Sequence, residues 1–273
     1  MKRKFLKFVL WLFSLIAFLV LTGIVVSKYS KNHCRKIEIL IYAPDDATFI
    51  TRDDVMSYIR ESKDSIVNNE LGGINVEKLE GIIMSKPFVQ KAKVYMTIDA
   101  RLKVEITQRT PIVRVQPDIR LAGISGIEYN PYFISSDGSM MPLVPGKTER
   151  VIFANGNIRN LYNNFLRLDV DSARIAEDTA GLFTTLYAIY HVADFISKDK
   201  FLKAQIQQIY VDENKDLILV PEVGRHIVIF GDGNDMNAKF KKLKIFYEKA
   251  AFIKGWDKYD TINVKYKNQI ICS

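Results

Sequence analysis

The sequence predicts an α+β protein with a single N-terminal transmembrane helix, a small unit of order β-α-α-β-β, and then a mainly antiparallel β domain with helices. Three observations carry this reading. Residues Phe8 to Val26 hold no charge, and about twenty such residues span a bilayer as a helix. Lys86 to Val115 alternates apolar and polar residues with period two, the mark of half-buried strands. Beyond Pro111 the chain changes to short apolar runs separated by turn residues.

The uncharged run is preceded by Lys2, Arg3, Lys4 and Lys7, which favours a cytoplasmic N-terminus. Lys28, Lys31, Arg35 and Lys36 follow it, so the charge asymmetry is incomplete. A cleaved signal peptide has a shorter apolar core, about 7–15 residues. Gly23-Ile24-Val25-Val26-Ser27 is also a poor cleavage site. The expected organisation is a tail at 1–7, an uncleaved anchor at 8–27 and a linker at 28–36.

The first outer domain is expected at 37–110. Lys36 to Tyr42 alternates as a strand, and Pro44-Asp45-Asp46 breaks it. Thr51 is placed to cap a helix, with Asp54 three residues on to return the bond. Ile50 and Val55 sit at staple positions, and Val55, Tyr58 and Ile59 form the inward stripe. Gly72-Gly73 is a joint. Asn75 caps a second helix whose Val76, Leu79, Ile82 and Ile83 recur at helical spacing, and Lys86-Pro87 ends it. A hairpin follows. Ala92, Val94, Met96 and Ile98 share one face, as do Leu102, Val104 and Ile106 on the return strand. The turn is expected at Asp99-Ala100-Arg101, and Arg109-Thr110-Pro111 stops the hairpin because proline lacks a donor.

The second outer domain is expected at 111–273. Ile112 to Val115 reads as a strand, and a Pro/Gly-rich run of turns follows to Pro131. Tyr132 to Leu143 reads as strand, Asp-Gly turn and strand, and Val151 to Phe153 as another strand. Arg174 to Ser197 is the longest helical pattern, with Leu182, Leu186, Ile189, Ala193 and Ile196 as its stripe. Strands are expected at Ile206 to Val211, Leu217 to Val220 and His226 to Phe230. A helix is expected from about Met236 to Phe252, with Asn234 or Asp235 as its cap. Its apolar residues are Phe240, Leu243, Phe246, Tyr247 and Ala250, and Lys239, Lys241, Lys242, Lys244 and Lys249 form its other face. The last strand is Thr261 to Lys267, with Ile262, Val264 and Tyr266 on one face and Asn263, Lys265 and Lys267 on the other.

No catalytic constellation stands out. Gly146-Lys147-Thr148 lacks the glycine that a phosphate loop needs at position 141, which is Met141. Ser197 to Lys200 fits S-x-x-K without its partner motifs. Gly231-Asp232-Gly233-Asn234-Asp235 lacks the calcium-loop pattern. His33, His191 and His226 are far apart. Cys34 and Cys272 have no metal-spaced neighbour, and the sequence is compatible with a bridge between them or with two free thiols. The net charge of +8 favours anionic surroundings. The lysines are dispersed without interleaved aromatics, which argues against nucleic acid. No cofactor is implied. A last strand often forms a sheet edge open to strand addition, and the short tail Gln269 to Cys272 leaves the opposite reading, a blocked edge, equally open.

The pattern V-x-x-A-x-V, L-x-V-x-I, R-x-P-I, carried by Val89, Ala92, Val94, Leu102, Val104, Ile106, Arg109, Pro111 and Ile112, resembles the end of the POTRA domain in the FtsQ/DivIB family of bacterial division proteins. The strand, helix, helix, strand, strand order extends the resemblance. The runs from Tyr132 to Leu143, Leu219 to Gly231, Lys242 to Tyr247 and Ile262 to Lys267 resemble the family's β domain in its Bacteroidetes-type form. The resemblance implies a bitopic scaffold and not an enzyme. Its N-terminus would lie in the cytoplasm and its two domains in the periplasm, at the inner membrane of the septum. Implied partners are FtsB- and FtsL-type bitopic proteins and other division components, and the implied role is control of septal peptidoglycan synthesis. It further implies strand addition of an FtsB C-terminal segment on Ile262, Asn263, Val264, Lys265, Tyr266 and Lys267, with Tyr266 and Lys265 prominent. This chain has lysine where many members have arginine and asparagine at 263 where many have aspartate, and lysine cannot offer a bidentate fork. The competing readings are an outer-membrane assembly factor, which would need a downstream barrel, and an anchored periplasmic wall hydrolase.

Overall fold

The computed structural model describes residues 2–30, 33–43, 48–62, 73–118, 131–144, 149–162, 182–251, 255 and 258–273. The chain divides into two compact units, Met1–Ala43 with Ile50–Gln108, and Pro44–Phe49 with Arg109–Ser273.

The first unit opens with helix α1, Lys2–Ser30, of 29 residues. Its side chains are described from Leu10 to Ile24, and all of them are exposed. Among the described residues no helix is long and apolar enough to cross a membrane. Strand β1 (Lys36–Tyr42), helices α2 (Arg52–Glu61) and α3 (Val76–Met84), and strands β2 (Val89–Met96) and β3 (Arg101–Gln108) follow. Thr51 forms the expected capping box: its hydroxyl accepts the Asp54 N–H at 3.2 Å, and Asp54 Oδ2 accepts the Thr51 N–H at 2.8 Å. Asn75 Oδ1 accepts the Lys78 N–H at 2.8 Å and caps α3. The sheet order is β1-β3-β2, with β1 parallel to the central β3. Leu102, Val104 and Ile106 of β3 are fully buried beneath Val55, Leu79 and Ile83 of the helices. Each such side chain contributes about 1.5–3 kcal/mol of burial.

The hairpin differs from the expectation at its tip. β2 stops at Met96, Thr97 to Ala100 form the turn, and Ile98 is 94% exposed instead of facing the core. Ala100 takes a positive φ of 62° and donates to Thr97 O at 3.0 Å, and Thr97 Oγ1 accepts the Arg101 N–H at 3.1 Å. These bonds close the reversal before Ile98 can pair.

The second unit is one nine-stranded mixed sheet in the order β12-β11-β10-β9-β8-β7-β4-β5-β6. Its strands are β4 (Pro111–Val115), β5 (Tyr132–Ser135), β6 (Met140–Pro142), β7 (Ile152–Gly156), β8 (Ile206–Val211), β9 (Leu217–Pro221), β10 (Ile227–Gly231), β11 (Thr261–Asn263) and β12 (Ile271–Cys272). Five of its eight pairings are antiparallel, and β4·β7, β7·β8 and β10·β11 are parallel. Helices α4 (Leu182–Ser197), α5 (Lys200–Gln205) and α6 (Met236–Ile245) complete it. Leu186, Ile189, Ala193 and Ile196 of α4 are buried against the sheet, as their spacing predicts. The expected helical start at 174–181 and the Gly-Lys-Thr turn at 146–148 lie outside the described residues. α6 is α-helical only to Ile245 and continues as a π-helical turn, Phe246–Ala251, which buries both Phe246 and Tyr247. Asp235 precedes α6 in the left-handed region and makes no capping bond, unlike the side-chain cap expected there.

Arg109 Nε meets Asp137 Oδ2 at 3.1 Å, and both side chains are largely buried. Burial pushes the Asp137 carboxyl up, but the Ser135 hydroxyl and the Arg109 charge outweigh it and hold the pKa below its ordinary value. A lowered folded pKa stabilises above the unfolded carboxyl's value, about 3.9, and that contribution is lost as pH falls through the folded value. Replacing Asp137 with Asn should cost about 2 kcal/mol at neutral pH. Urea unfolding across a pH series should show a shallower acid loss for Asp137→Asn than for the parent chain.

Candidate partner-docking surface

The residues singled out at the chain's end do not form one strand. Only Thr261 to Asn263 pair, with Ile262 opposite Val228 of β10 on one side and Cys272 of β12 on the other. β11 is therefore internal, and among the described residues the outermost strand at this end of the sheet is β12. Ile262 and Val264 are fully buried, while Tyr266 leaves their face and is 49% exposed.

The chain breaks from the ladder because of two polar contacts. Asn263 Oδ1 accepts the Lys265 N–H at 2.9 Å, an Asx turn that competes with strand continuation. Lys242 Nζ, from α6, donates to Val264 O at 2.7 Å, to Tyr266 O, and to Gln269 O at 3.3 Å. One ammonium thus satisfies carbonyls that a strand would otherwise pair. Burial first, then the Lys239 charge, lowers the Lys242 pKa. Asn268 then takes a positive φ of 60°, and the chain returns as β12, with Ser273 and Thr261 exchanging backbone bonds at 3.1 Å.

Lys265 is tied to Asp216 Oδ2 at 2.5 Å, and that hydrogen bond raises its pKa. Its stem lies where a Cβ on Gly231 would fall, 2.7 Å from Lys265 Cγ, and Gly231 has φ of +79°. Glycine at 231 serves both the backbone and the lysine stem. Lys267 is 86% exposed at its side chain and stands 4.0 Å from Asp235.

Between α6 and the 265–270 loop lies an open groove of about 500 Å³. Ala238, Ile245, Tyr266 and Ile270 give it apolar walls, and its charged lining holds Lys241, Lys242, Lys265 and Lys267 with the one carboxylate Asp235. Ile245 is 40% exposed here, and Ile271 on β12 is 47% exposed.

The expected basic face of α6 is only partly a surface. Lys239 is buried, donates to Asp232 Oδ1 at 2.7 Å and lies 5.0 Å above the Phe230 ring. Lys244 pairs with Asp199, which also caps α5. Lys241 and Lys249 remain exposed. Sequence periodicity missed these inward lysines because long stems carry a charge past an apolar layer. Elsewhere, Ser197 Oγ donates to Asp194 O at a helix end. His226 Nε2 meets Tyr247 Oη at 3.0 Å, both buried, and burial pushes the Tyr247 phenol up to about 12. Among the described residues no group of three or more His, Cys, Asp or Glu could hold a metal. Cys34 is buried and Cys272 half-buried, both as free thiols.

Two family models match the chain. The model described as FtsQ/DivIB, C-terminal related, matches residues 110–273, more than half of the sequence. A POTRA-like domain model matches residues 32–107. No curated protein matches the chain.

Replacing Lys242 with Met should leave the Val264, Tyr266 and Gln269 carbonyls without their donor. Amide exchange across 265–270 should quicken, with a stability cost of about 1–3 kcal/mol, while exchange in the β1–β3 sheet stays as it was.

Proposed function

Because the chain belongs to the FtsQ/DivIB family of division-associated proteins, we propose that it is a membrane-anchored, non-enzymatic scaffold of the bacterial division machinery. In this reading α1 sits in the inner membrane with its N-terminus in the cytoplasm. The POTRA-like unit and the second unit lie in the periplasm at the septum, where they recruit FtsB- and FtsL-type partners and help regulate septal peptidoglycan synthesis. The exposed apolar side chains of α1 support the anchor, since Trp11, Phe13, Phe18 and Leu21 are each more than 60% exposed. No bond is made or broken; the protein acts by docking.

The observation that carries the docking role is the end of the nine-stranded sheet. β12 is its terminal strand, and the lysine-ringed groove lies beside it. A terminal strand offers N–H and C=O groups to an incoming strand. The proposed arrangement lays an FtsB-type C-terminal segment along Ile271–Cys272. Lys265, Tyr266 and Lys267 meet its side chains, and Ile262, Asn263 and Val264 hold the surface from beneath. Tyr266 is the anchor of that contact, an exposed aromatic ring between cations.

Tyr266→Asp in the full-length protein should weaken binding of an FtsB C-terminal peptide at least about tenfold. Titration by fluorescence anisotropy reads this, and unchanged affinity would remove Tyr266 from the docking surface.

A further inference from the structure

We infer that the tip of the β2–β3 hairpin, residues 97–101, rests in the headgroup layer of the anionic membrane that holds α1. The inference takes the membrane anchor proposed above as its premise.

Geometry brings the tip to the place where the chain leaves α1. β1 runs parallel to β3, with Lys36 opposite Arg101. The Arg35 N–H donates to Ala100 O at 2.9 Å. The chain therefore enters the first unit at the end of the sheet where the hairpin reverses. Cys34 is fully buried in that unit's core, and α1 ends at Ser30. Four residues of chain reach at most about 14 Å. A tether that short keeps this end of the sheet at the membrane surface.

The tip has the chemistry of that surface. Ile98 is 94% exposed at its apex. Turns favour Gly, Pro, Asn, Asp and Ser, and a β-branched apolar residue there has no local reason to be present. It is held outward by a fixed frame. Thr97 Oγ1 donates to Asp99 Oδ1 at 2.6 Å, the Thr97 N–H donates to Arg101 O at 2.9 Å, and Ala100 is buried behind the turn.

A single exposed apolar residue is ordinary on a protein surface. Here cations share the same end of the sheet: Lys36 is the register partner of Arg101, and Arg35 bonds Ala100. Arg35 and Lys36 are exposed and have no ion-pair partner among the described residues. Arg101 pairs with Asp99 at 2.7 Å and reaches Glu38 at 3.8 Å. The Thr97 hydroxyl first, with Arg101 and Arg35 adding their charge, holds the Asp99 carboxyl low. Cations at an anionic membrane surface and an apolar side chain at the acyl boundary both favour contact. Together they orient the first unit with its hairpin toward the bilayer.

Site-directed spin labels in the full-length chain test this in vesicles of phosphatidylethanolamine with phosphatidylglycerol. Labels are placed through Ile98→Cys, Leu19→Cys and Tyr210→Cys, each in a Cys34→Ala, Cys272→Ser background. Leu19 reports the anchor, and Tyr210 is an exposed aqueous reference in the second unit. The label at 98 should collide with oxygen more, and with a water-soluble nickel reagent less, than the label at 210, each several-fold. Adding Arg35→Glu and Lys36→Glu should return it toward the aqueous values. A label at 98 as water-accessible as that at 210, while the label at 19 reads lipid, overturns the inference and leaves the anchor standing. A label at 19 that reads water overturns the anchor, and the inference with it.

Discussion

Lys242 Nζ donates to the carbonyls of Val264, Tyr266 and Gln269, and the chain's end is built around that cation. Without a donor there, those carbonyls would call for a neighbouring strand. With it, the strand ends at Asn263, the Val264 N–H makes a last bond to Ile229 O at 3.0 Å, and the chain returns to cover β11 with β12. The exposed groove and the terminal strand follow from this choice. A lysine in this setting is both glue and electrostatics. Its ammonium bonds the loop carbonyls, and it lines the same groove as Lys241, Lys265 and Lys267.

A second constraint places the sheet. β4 follows the first unit directly in sequence yet enters the second as an inner strand, between β7 and β5. Two sequence motifs meet there. Arg109, of the run before Pro111, pairs with Asp137 of the Asp-Gly turn between β5 and β6. The Ser136 N–H also donates to Thr110 O at 2.9 Å. Pro111 starts β4 where its missing donor costs least, at a bulge in the register with β5. The motif residues are thus structural at the point where the sheet begins.

The order of strands and helices from β1 to β3 was legible. Capping chemistry at Thr51 and Asn75 and strict alternation in β3 are local signals, and local signals fix short helices and half-buried strands. Ile98 misled because alternation continued through it, whereas the turn was decided by Ala100's backbone and the Thr97 hydroxyl. The same failure recurred at the other end. Tyr266 keeps period with Ile262 and Val264, but the chain has already left the sheet. Periodicity cannot sense a lysine from α6 that reaches across twenty-two residues to Val264 O. The inward turn of Lys239 and Lys244 was hidden for the same reason, since their partners Asp232 and Asp199 are set by the fold. The family resemblance pointed to this region, and the geometry covers β11 with the tail strand β12.

Amide hydrogen exchange of the full-length protein, with and without an FtsB C-terminal peptide, tests the proposal that a partner docks on this terminal strand. New protection is expected at Ile271 and Cys272 and in the 265–267 loop, with β6 at the opposite end of the sheet unchanged. Protection at β6 or in the first unit alone, with β12 exchanging as freely as before, would contradict it.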